Sequence, residues 1–135
     1  MMHLARSHRL RLVLTDERMA ICRLAPTDFM PAWATAGGWW SMTRTQDELS
    51  IVCAEAAVPP EVAASRGWRR LRFEGPLPLD QTGILASVTG PLAAARVSLF
   101  AVGTYDTDYV LIPDAQRGAA IAALEAAGHA ISAGM

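Results

Sequence analysis

Two short β-type runs in the second half of the chain constrain the fold most. Val97–Val102 and Tyr109–Ile112 are rich in β-branched and aromatic residues, and a short polar segment that begins at Gly103 joins them. Such runs around a polar turn are typical of a β-hairpin. A helical pattern precedes the hairpin at Thr82–Ala95, and another follows it at Asp114–Ala127. With one further strand on either side, this order predicts an α+β unit of the ferredoxin-like type, βαββαβ.

The two flanking strands are also visible in the sequence. Trp68–Glu74 alternates large apolar and charged residues, which predicts a strand with one buried face, and His129–Ser132 could complete the order. Before residue 65 the same order recurs less completely, with weak helical segments at residues 27–35 and Glu61–Ser65. The strands predicted in that half are Arg9–Leu14, Met19–Leu24, Trp39–Thr43 and Leu49–Ala54.

We therefore predict two ferredoxin-like units that pack as one compact protein. The N-terminal unit covers residues 1–64, and the C-terminal unit covers residues 65–135. Thr15-Asp16-Glu17 has turn chemistry between two apolar runs, so the N-terminal unit is predicted to carry an extra hairpin at its start. No linker rich in Gly or Ser separates the units. Two units without a flexible linker are expected to be in direct contact.

The composition excludes several classes of protein. Hydrophobic residues make up 52% of the chain, which argues against disorder. The 12 basic residues are all Arg and divide evenly between the halves, and the chain has 13 acidic residues. Neither half therefore has the excess of positive charge that binding to a nucleic-acid backbone requires. No run approaches the roughly 20 apolar residues of a membrane span, and Met1–His8 has no signal-peptide core. We expect a cytoplasmic protein that binds neither nucleic acid nor membrane.

The reactive residue types form no catalytic or metal-binding pattern. Cys22 and Cys53 lie in apolar strand-like runs, where a thiol usually serves as a small buried hydrophobe and not in a disulfide. The histidines are interpreted as solvated: His3, His8 and His129. No nucleophile beside a base, no phosphate loop and no facing carboxylate pair is found. We therefore predict no enzymatic activity, no metal and no cofactor.

Two groups of residues have alternative interpretations. Four arginines lie close together at the start of the C-terminal unit: Arg66, Arg69, Arg70 and Arg72. They are interpreted as a solvated strand face, with an anionic effector site as the alternative. The tryptophans Trp33, Trp39, Trp40 and Trp68 are assigned to core or interface packing, with a pocket as the alternative. Trp39 and Trp40 are neighbours in a predicted strand and must face opposite sides, so one of them is a candidate for the seam between units or subunits.

Two segments resemble the ACT domains that sense free amino acids. They are Thr82-Gly-Ile-Leu-Ala-Ser87 and Gly103-Thr-Tyr-Asp-Thr-Asp-Tyr109. Residues 66–130 are similar to the ACT type of paired-ACT bacterial proteins and of the arginine-sensing CASTOR proteins of animals, and a related type regulates aspartokinases. Residues 38–56 resemble the preceding unit of the same proteins. The resemblance thus covers most of the chain.

This resemblance implies that a small amino acid lies in the cleft between adjacent ACT units. Residue by residue, the match assigns ligand binding to Ser50, Ile51, Gly83, Thr104, Tyr105 and Asp108. Gly83, at a helix start, would receive a carboxylate through backbone amides, and Asp108 would pair with an ammonium group. The chain departs from the pattern at Ala86, where an acidic residue would suit a cationic ligand side chain. A more neutral side-chain pocket is therefore expected.

The resemblance also implies a regulatory, non-catalytic protein. Ligand binding would change the arrangement of units or subunits, and that change would be the signal. Open edge strands favour a partner, so a homodimer is expected. The alternative function is a ligand-free ACT scaffold that mediates dimerisation or docks onto a partner enzyme. Stabilisation by a specific free amino acid would separate the two.

Overall fold

A computed structural model describes residues 8–134, which form seven strands and two α-helices. The strands are β1 Arg11–Leu24, β2 Ser41–Arg44, β3 Leu49–Ala54, β4 Ala64–Phe73, β5 Phe100–Gly103, β6 Asp108–Pro113 and β7 Ala130–Gly134. The α-helices are α1 Ile84–Ala94 and α2 Arg117–Ala126, and short 3-10 helices span Ala32–Thr35, Glu55–Ala57 and Asp114–Gln116. His3, which was expected to be solvated, lies outside the described residues.

All seven strands belong to one sheet with β1 and β4 at its centre. The order is β2-β3-β1-β4-β6-β5, and β7 pairs in parallel with the first part of β1. β4, β1, β3 and β2 therefore follow the ferredoxin-like order in the first half. β7, β4, β6 and β5 follow the same order in the second half, except that β1 lies between β4 and β7. The predicted α+β class is confirmed.

The sheet has a buried core on each face. Beneath α1 and α2, the main core includes Leu12, Leu71, Phe73, Val88, Leu92, Val110 and Leu124. A smaller core in the first half has no α-helix over it and includes Ala20, Cys22, Ile51 and Cys53. The opposite face carries a third cluster around Met19, Val52 and Leu111, with Trp39 and Trp68 packed against it. Both cysteines are buried and free, as predicted.

The predicted hairpin at the start of the chain is wrong, because β1 is a single strand of 14 residues. The strand continues through the Thr15–Glu17 segment, where its register against β4 shifts between Leu14 and Arg18. The Thr15 hydroxyl donates to the carbonyl of Arg70 at 3.1 Å. Asp16 and Glu17 form ion pairs with Arg69 and Arg70. β4 thus supplies partners for a polar segment that would otherwise favour a turn.

The domain boundary between residues 64 and 65 remains a prediction.

The two helices predicted for the first half are not α-helices. The segment at residues 27–35 contains only the 3-10 helix Ala32–Thr35, and in Glu61–Ser65 a turn is followed by the first two residues of β4. In that turn Val62 N–H donates to Pro59, and the carbonyl of Ala63 accepts from Arg23 on β1. This cross-strand hydrogen bond holds the backbone at Ala63 in an extended conformation, within a segment that the sequence predicted to be helical.

Two residues that were expected to be solvated are buried. Arg69 is 5% exposed and shares the core face of β4 with Leu71 and Phe73. Its guanidinium donates to Asp114, Asp16 and the carbonyl of Thr15. His129 is also 5% exposed. Its Nδ1 accepts from the Leu10 amide at 3.0 Å, so Nε2 carries the proton that is donated to the Ser87 carbonyl at 2.8 Å.

Candidate ligand-binding site

A pocket of about 220 Å³ lies between the start of α1, the turn that joins β5 to β6, and the connector of residues 77–81. Four of the six predicted site residues line it: Gly83, Thr104, Tyr105 and Asp108. They come from two segments about 20 residues apart in the chain. The ferredoxin-like connection brings these segments together because α1 crosses back over the sheet to β5.

The start of α1 offers backbone donors to this pocket. Gly83 is the N-cap residue, has a left-handed backbone with φ of 82°, and provides no side-chain cap. The first hydrogen bond within the helix runs from Ser87 N–H to the Gly83 carbonyl. The amides of Ile84, Leu85 and Ala86 therefore have no acceptor inside the helix, and all three residues line the pocket. Together with the positive end of the helix dipole they can receive a carboxylate.

Asp108 places a carboxylate at the same pocket. It is the first residue of β6, is half-buried and pairs with Gly103 on β5. Within residues 8–134 no hydrogen bond or ion pair reaches its side chain. A side chain at Gly103 would come within 3.4 Å of Asp108 Oδ1. The carboxylate is thus free to pair with a cationic group, such as an ammonium, that enters the pocket.

Thr104 braces the turn, and Tyr105 forms part of its outer surface. The Thr104 hydroxyl donates to the Thr107 carbonyl at 2.9 Å and accepts from the Thr107 amide at 3.2 Å. The Thr107 hydroxyl in turn donates to the Phe73 carbonyl at 2.7 Å. Thr104 therefore has its proton committed and keeps only acceptor capacity. Tyr105 is 80% exposed and lies at the mouth of the pocket.

Much of the remaining lining comes from a connector that the sequence did not single out. Leu77, Pro78 and Leu79 form one side, and the Leu77 amide donates to the Asp106 carbonyl at 2.7 Å. Gln81 adds an amide side chain. The sequence signalled this connector only by its proline-rich pattern. Among residues 8–134 the pocket wall carries no second carboxylate besides Asp108.

The structure does not bring Ser50 and Ile51 to this pocket. Ser50 lies on β3 and lines a separate groove with Phe100–Gly103 of β5. The Ile51 side chain has 0% exposure in the first-half core, and its backbone lies between β1 and β2. Within one chain these two residues are therefore apart from the other four.

Two absences apply to the part of the chain that the structure describes. Across residues 8–134 no three His, Cys, Asp or Glu side chains cluster in a way that could hold a metal ion. In the same range no helix has the length and apolar character needed to cross a membrane.

The fold and this pocket define a small α+β protein with two ferredoxin-like halves and a pocket of about 220 Å³ at one helix start. The ACT domain family model matches residues 63–126, and a second model, described as an N-terminal domain, matches residues 17–61. A crystal structure of a protein from Agobacterium tumefaciens is 36% identical, with 96% of each chain covered and a TM-score of 0.90. The chain thus contains an ACT domain over residues 63–126.

Two of the similar proteins whose names state a function illustrate the likeness. The human cytosolic arginine sensor for mTORC1 subunit 1 is 41% identical over 59 residues, which are 43% of this chain and 18% of the sensor. The match thus spans less than a fifth of that relative. The regulatory subunit of aspartate kinase from Thermus flavus is 13% identical, with 86% of this chain and 95% of that chain covered and a TM-score of 0.61. This second likeness supports the fold alone.

Proposed function

We propose that this protein is a regulatory module that binds a free amino acid in the pocket at the start of α1. The single observation that carries the proposal is the pairing of opposite charges in one pocket. Uncapped amides of α1 can receive a carboxylate, and the unpartnered Asp108 can receive an ammonium. A free α-amino acid carries both groups on one carbon atom. The arginine-sensing relative and the ACT family match support the same class of ligand.

The side chain of the ligand is proposed to be uncharged. A bound arginine would bring its guanidinium against Leu77, Leu79, Leu85 and Ala86, which offer no carboxylate. An unpaired cation beside such a surface loses solvation without a compensating partner. An apolar or small polar side chain gains from the same contacts.

The signal is proposed to pass through a homodimer in the cytoplasm. β2 and β5 are the two ends of the main strand order and leave backbone groups open for a second copy. The contacts predicted for Ser50 and Ile51 require such a second copy, because within one chain they lie away from the pocket. Light scattering should give twice the chain mass of 14.5 kDa. A monomer at every concentration would contradict this part of the proposal.

A melting-temperature screen against the twenty free amino acids tests ligand binding. We expect stabilisation by one or a few amino acids with uncharged side chains, and a smaller effect of arginine. A hundredfold excess over the dissociation constant should add about 2.7 kcal/mol to the free energy of unfolding. A flat screen would favour the alternative, a ligand-free scaffold that mediates dimerisation or docks onto a partner enzyme. No enzymatic activity is proposed.

Substitution of Asp108 tests the site itself. Asp108→Ala should weaken binding of the amino acid found in the screen by about 2–5 kcal/mol, because the ligand ammonium is left unpaired. The matched control is Asp106→Ala, since Asp106 lies in the same turn, is exposed and does not line the pocket. Calorimetric titration beside the unfolding curve of each variant separates binding from stability. Unchanged affinity in folded Asp108→Ala would rule out the assignment.

A further inference from the structure

A second and larger cavity lies on the face of the sheet opposite the α-helices. Its volume is about 550 Å³, against about 220 Å³ for the pocket at the start of α1. Sites for small molecules typically measure about 300–1,000 Å³. Strands β1, β4 and β6 form the floor through Val13, Arg70, Arg72 and Tyr109, and Trp39 approaches from the segment before β2. Both halves of the chain therefore contribute to this cavity.

The charges in the cavity favour an anion. Arg70 Nη1 lies 3.4 Å from Glu17 Oε1, and the Arg70 side chain is 12% exposed. Arg72 is half-buried, and within residues 8–134 its guanidinium makes no ion pair or side-chain hydrogen bond. Among residues 8–134 the cavity thus contains two guanidinium groups and one carboxylate. A guanidinium that is partly withdrawn from water without a partner is an efficient receptor for a carboxylate or a phosphate.

The aromatic residues in the cavity favour an organic ligand over a bare ion. Trp39 and Tyr109 pack edge to face with ring centroids 5.1 Å apart. The Arg70 guanidinium lies over the Trp39 ring, 5.0 Å from its centroid, which fixes the ring beside the charges. Val13 adds an apolar surface next to Arg72, its partner in the β1–β4 register. Planar apolar groups gain contact area on such surfaces.

We propose that this cavity is a second ligand site, which binds a small aromatic anion that carries a carboxylate or a phosphate group. Arg72 and Arg70 pair with the anionic group, and Trp39 and Tyr109 contact the aromatic part. The site is distinct from the pocket at the start of α1. Asp108 lines that pocket and Tyr109 lines this cavity, and as neighbours on β6 they face opposite sides of the sheet.

Calorimetric titration of the full chain with three probes tests the proposal. Phenyl phosphate has both required groups, inorganic phosphate lacks the ring, and phenol lacks the charge. We expect phenyl phosphate to bind more tightly than inorganic phosphate, phenol not to bind, and added salt to weaken the binding. Absence of phenyl phosphate binding would overturn the site, and equal binding of inorganic phosphate would overturn the aromatic part.

Three variants connect binding to the cavity. Arg72→Gln should weaken phenyl phosphate binding at least about tenfold. Glu17→Gln should strengthen it, because Arg70 then loses its competing carboxylate. The control Arg66→Gln removes an exposed arginine of the same strand that does not line the cavity, and should change nothing. Full binding by Arg72→Gln would overturn the proposal. If that variant does not fold, unchanged or weaker binding by Glu17→Gln would overturn it.

Discussion

The two halves of the sheet share one strand order but differ in what connects the strands. In the first half the connections carry 3-10 helices of four and three residues, Ala32–Thr35 and Glu55–Ala57. In the second half they carry α1 and α2, with 11 and 10 residues. An α-helix of this length begins with a turn of free amides and has an appreciable dipole at its start. Helix-start amides that could receive a carboxylate therefore lie in the second half.

Local sequence explains much of this difference. The connections of the first half contain Pro26, Pro31, Pro59 and Pro60, which restrict the residues before them and remove backbone donors. The α2 segment is rich in alanine, the best helix former. α1 tolerates Pro91 because its apolar residues Ile84, Val88 and Leu92 are buried against the sheet. The first half thus supplies strands to the sheet, and the second half supplies strands and the pocket.

The largest effect on the free energy of unfolding is expected from a buried charge in the second half, the guanidinium of Arg69. Arg69→Ala should lower the free energy of unfolding by about 3 kcal/mol, because it removes a buried guanidinium that joins β1, β4 and Asp114. The control in the first half is Arg23→Ala, since Arg23 forms an exposed pair with Glu48 at 3.5 Å. Its cost should be below about 1 kcal/mol. Urea unfolding measures the loss of stability in both variants. Equal losses would contradict the expected difference between the buried and the exposed arginine.

A smaller effect is expected from two glycines of the α1 region. Gly83→Ala should destabilise the protein by about 1–2 kcal/mol, because a Cβ is disfavoured at φ of 82°. Gly90→Ala, inside α1, should change stability by less than about 1 kcal/mol, because Ala favours the helix while the following Pro91 disfavours a Cβ in helical backbone. Thermal unfolding of the pair shows whether the helix start is special. A neutral Gly83→Ala would argue against a strained N-cap.

The smallest effect is expected from the acid titration of Asp114. The hydrogen bond from Arg69, with the charges of Arg18 and Arg117, lowers the pKa of this carboxyl below its ordinary value of 3.8. Since the folded-state pKa is the lower one, the contribution to stability is complete above about pH 4. It is lost as the pH falls through the folded-state pKa. Unfolding between pH 2 and pH 6 should therefore depend less on pH in Asp114→Asn than in the wild type. Identical pH profiles for the variant and the wild type would contradict a stabilising role of the ionised Asp114 carboxylate.

Local patterns in the sequence predicted much of the fold and part of the candidate site. The bounds of β3, Leu49–Ala54, agree with the prediction because a short apolar run and the polar turn before it are local signals. The segments around Gly83 and Asp108 were selected by resemblance, and the structure places both at one pocket. Whether these residues bind a ligand remains a prediction.

Three of the wrong predictions share one physical cause, which is a hydrogen-bond partner far away in the chain. Thr15 and Asp16 looked like a turn because their partners on β4, Arg69 and Arg70, are more than 50 residues away. Arg69 looked solvated because a charge in a strand usually is, and Asp114 lies 45 residues further on. His129 owes its burial to Leu10, at the other end of the chain. Such contacts leave no periodic trace in the sequence around either residue.

The insertion of β1 between β4 and β7 has a consequence for how the protein is made. Arg11 pairs with Ala130, so β1 leaves the ribosome long before its last partner, β7. β1 can pair with β3 as soon as residues 49–54 emerge, but its first part keeps one open edge until residues 130–134 emerge. Pairings of such long range slow folding, and an open edge can recruit a neighbouring chain. Newly made chains are therefore exposed to mispairing until β7 has paired.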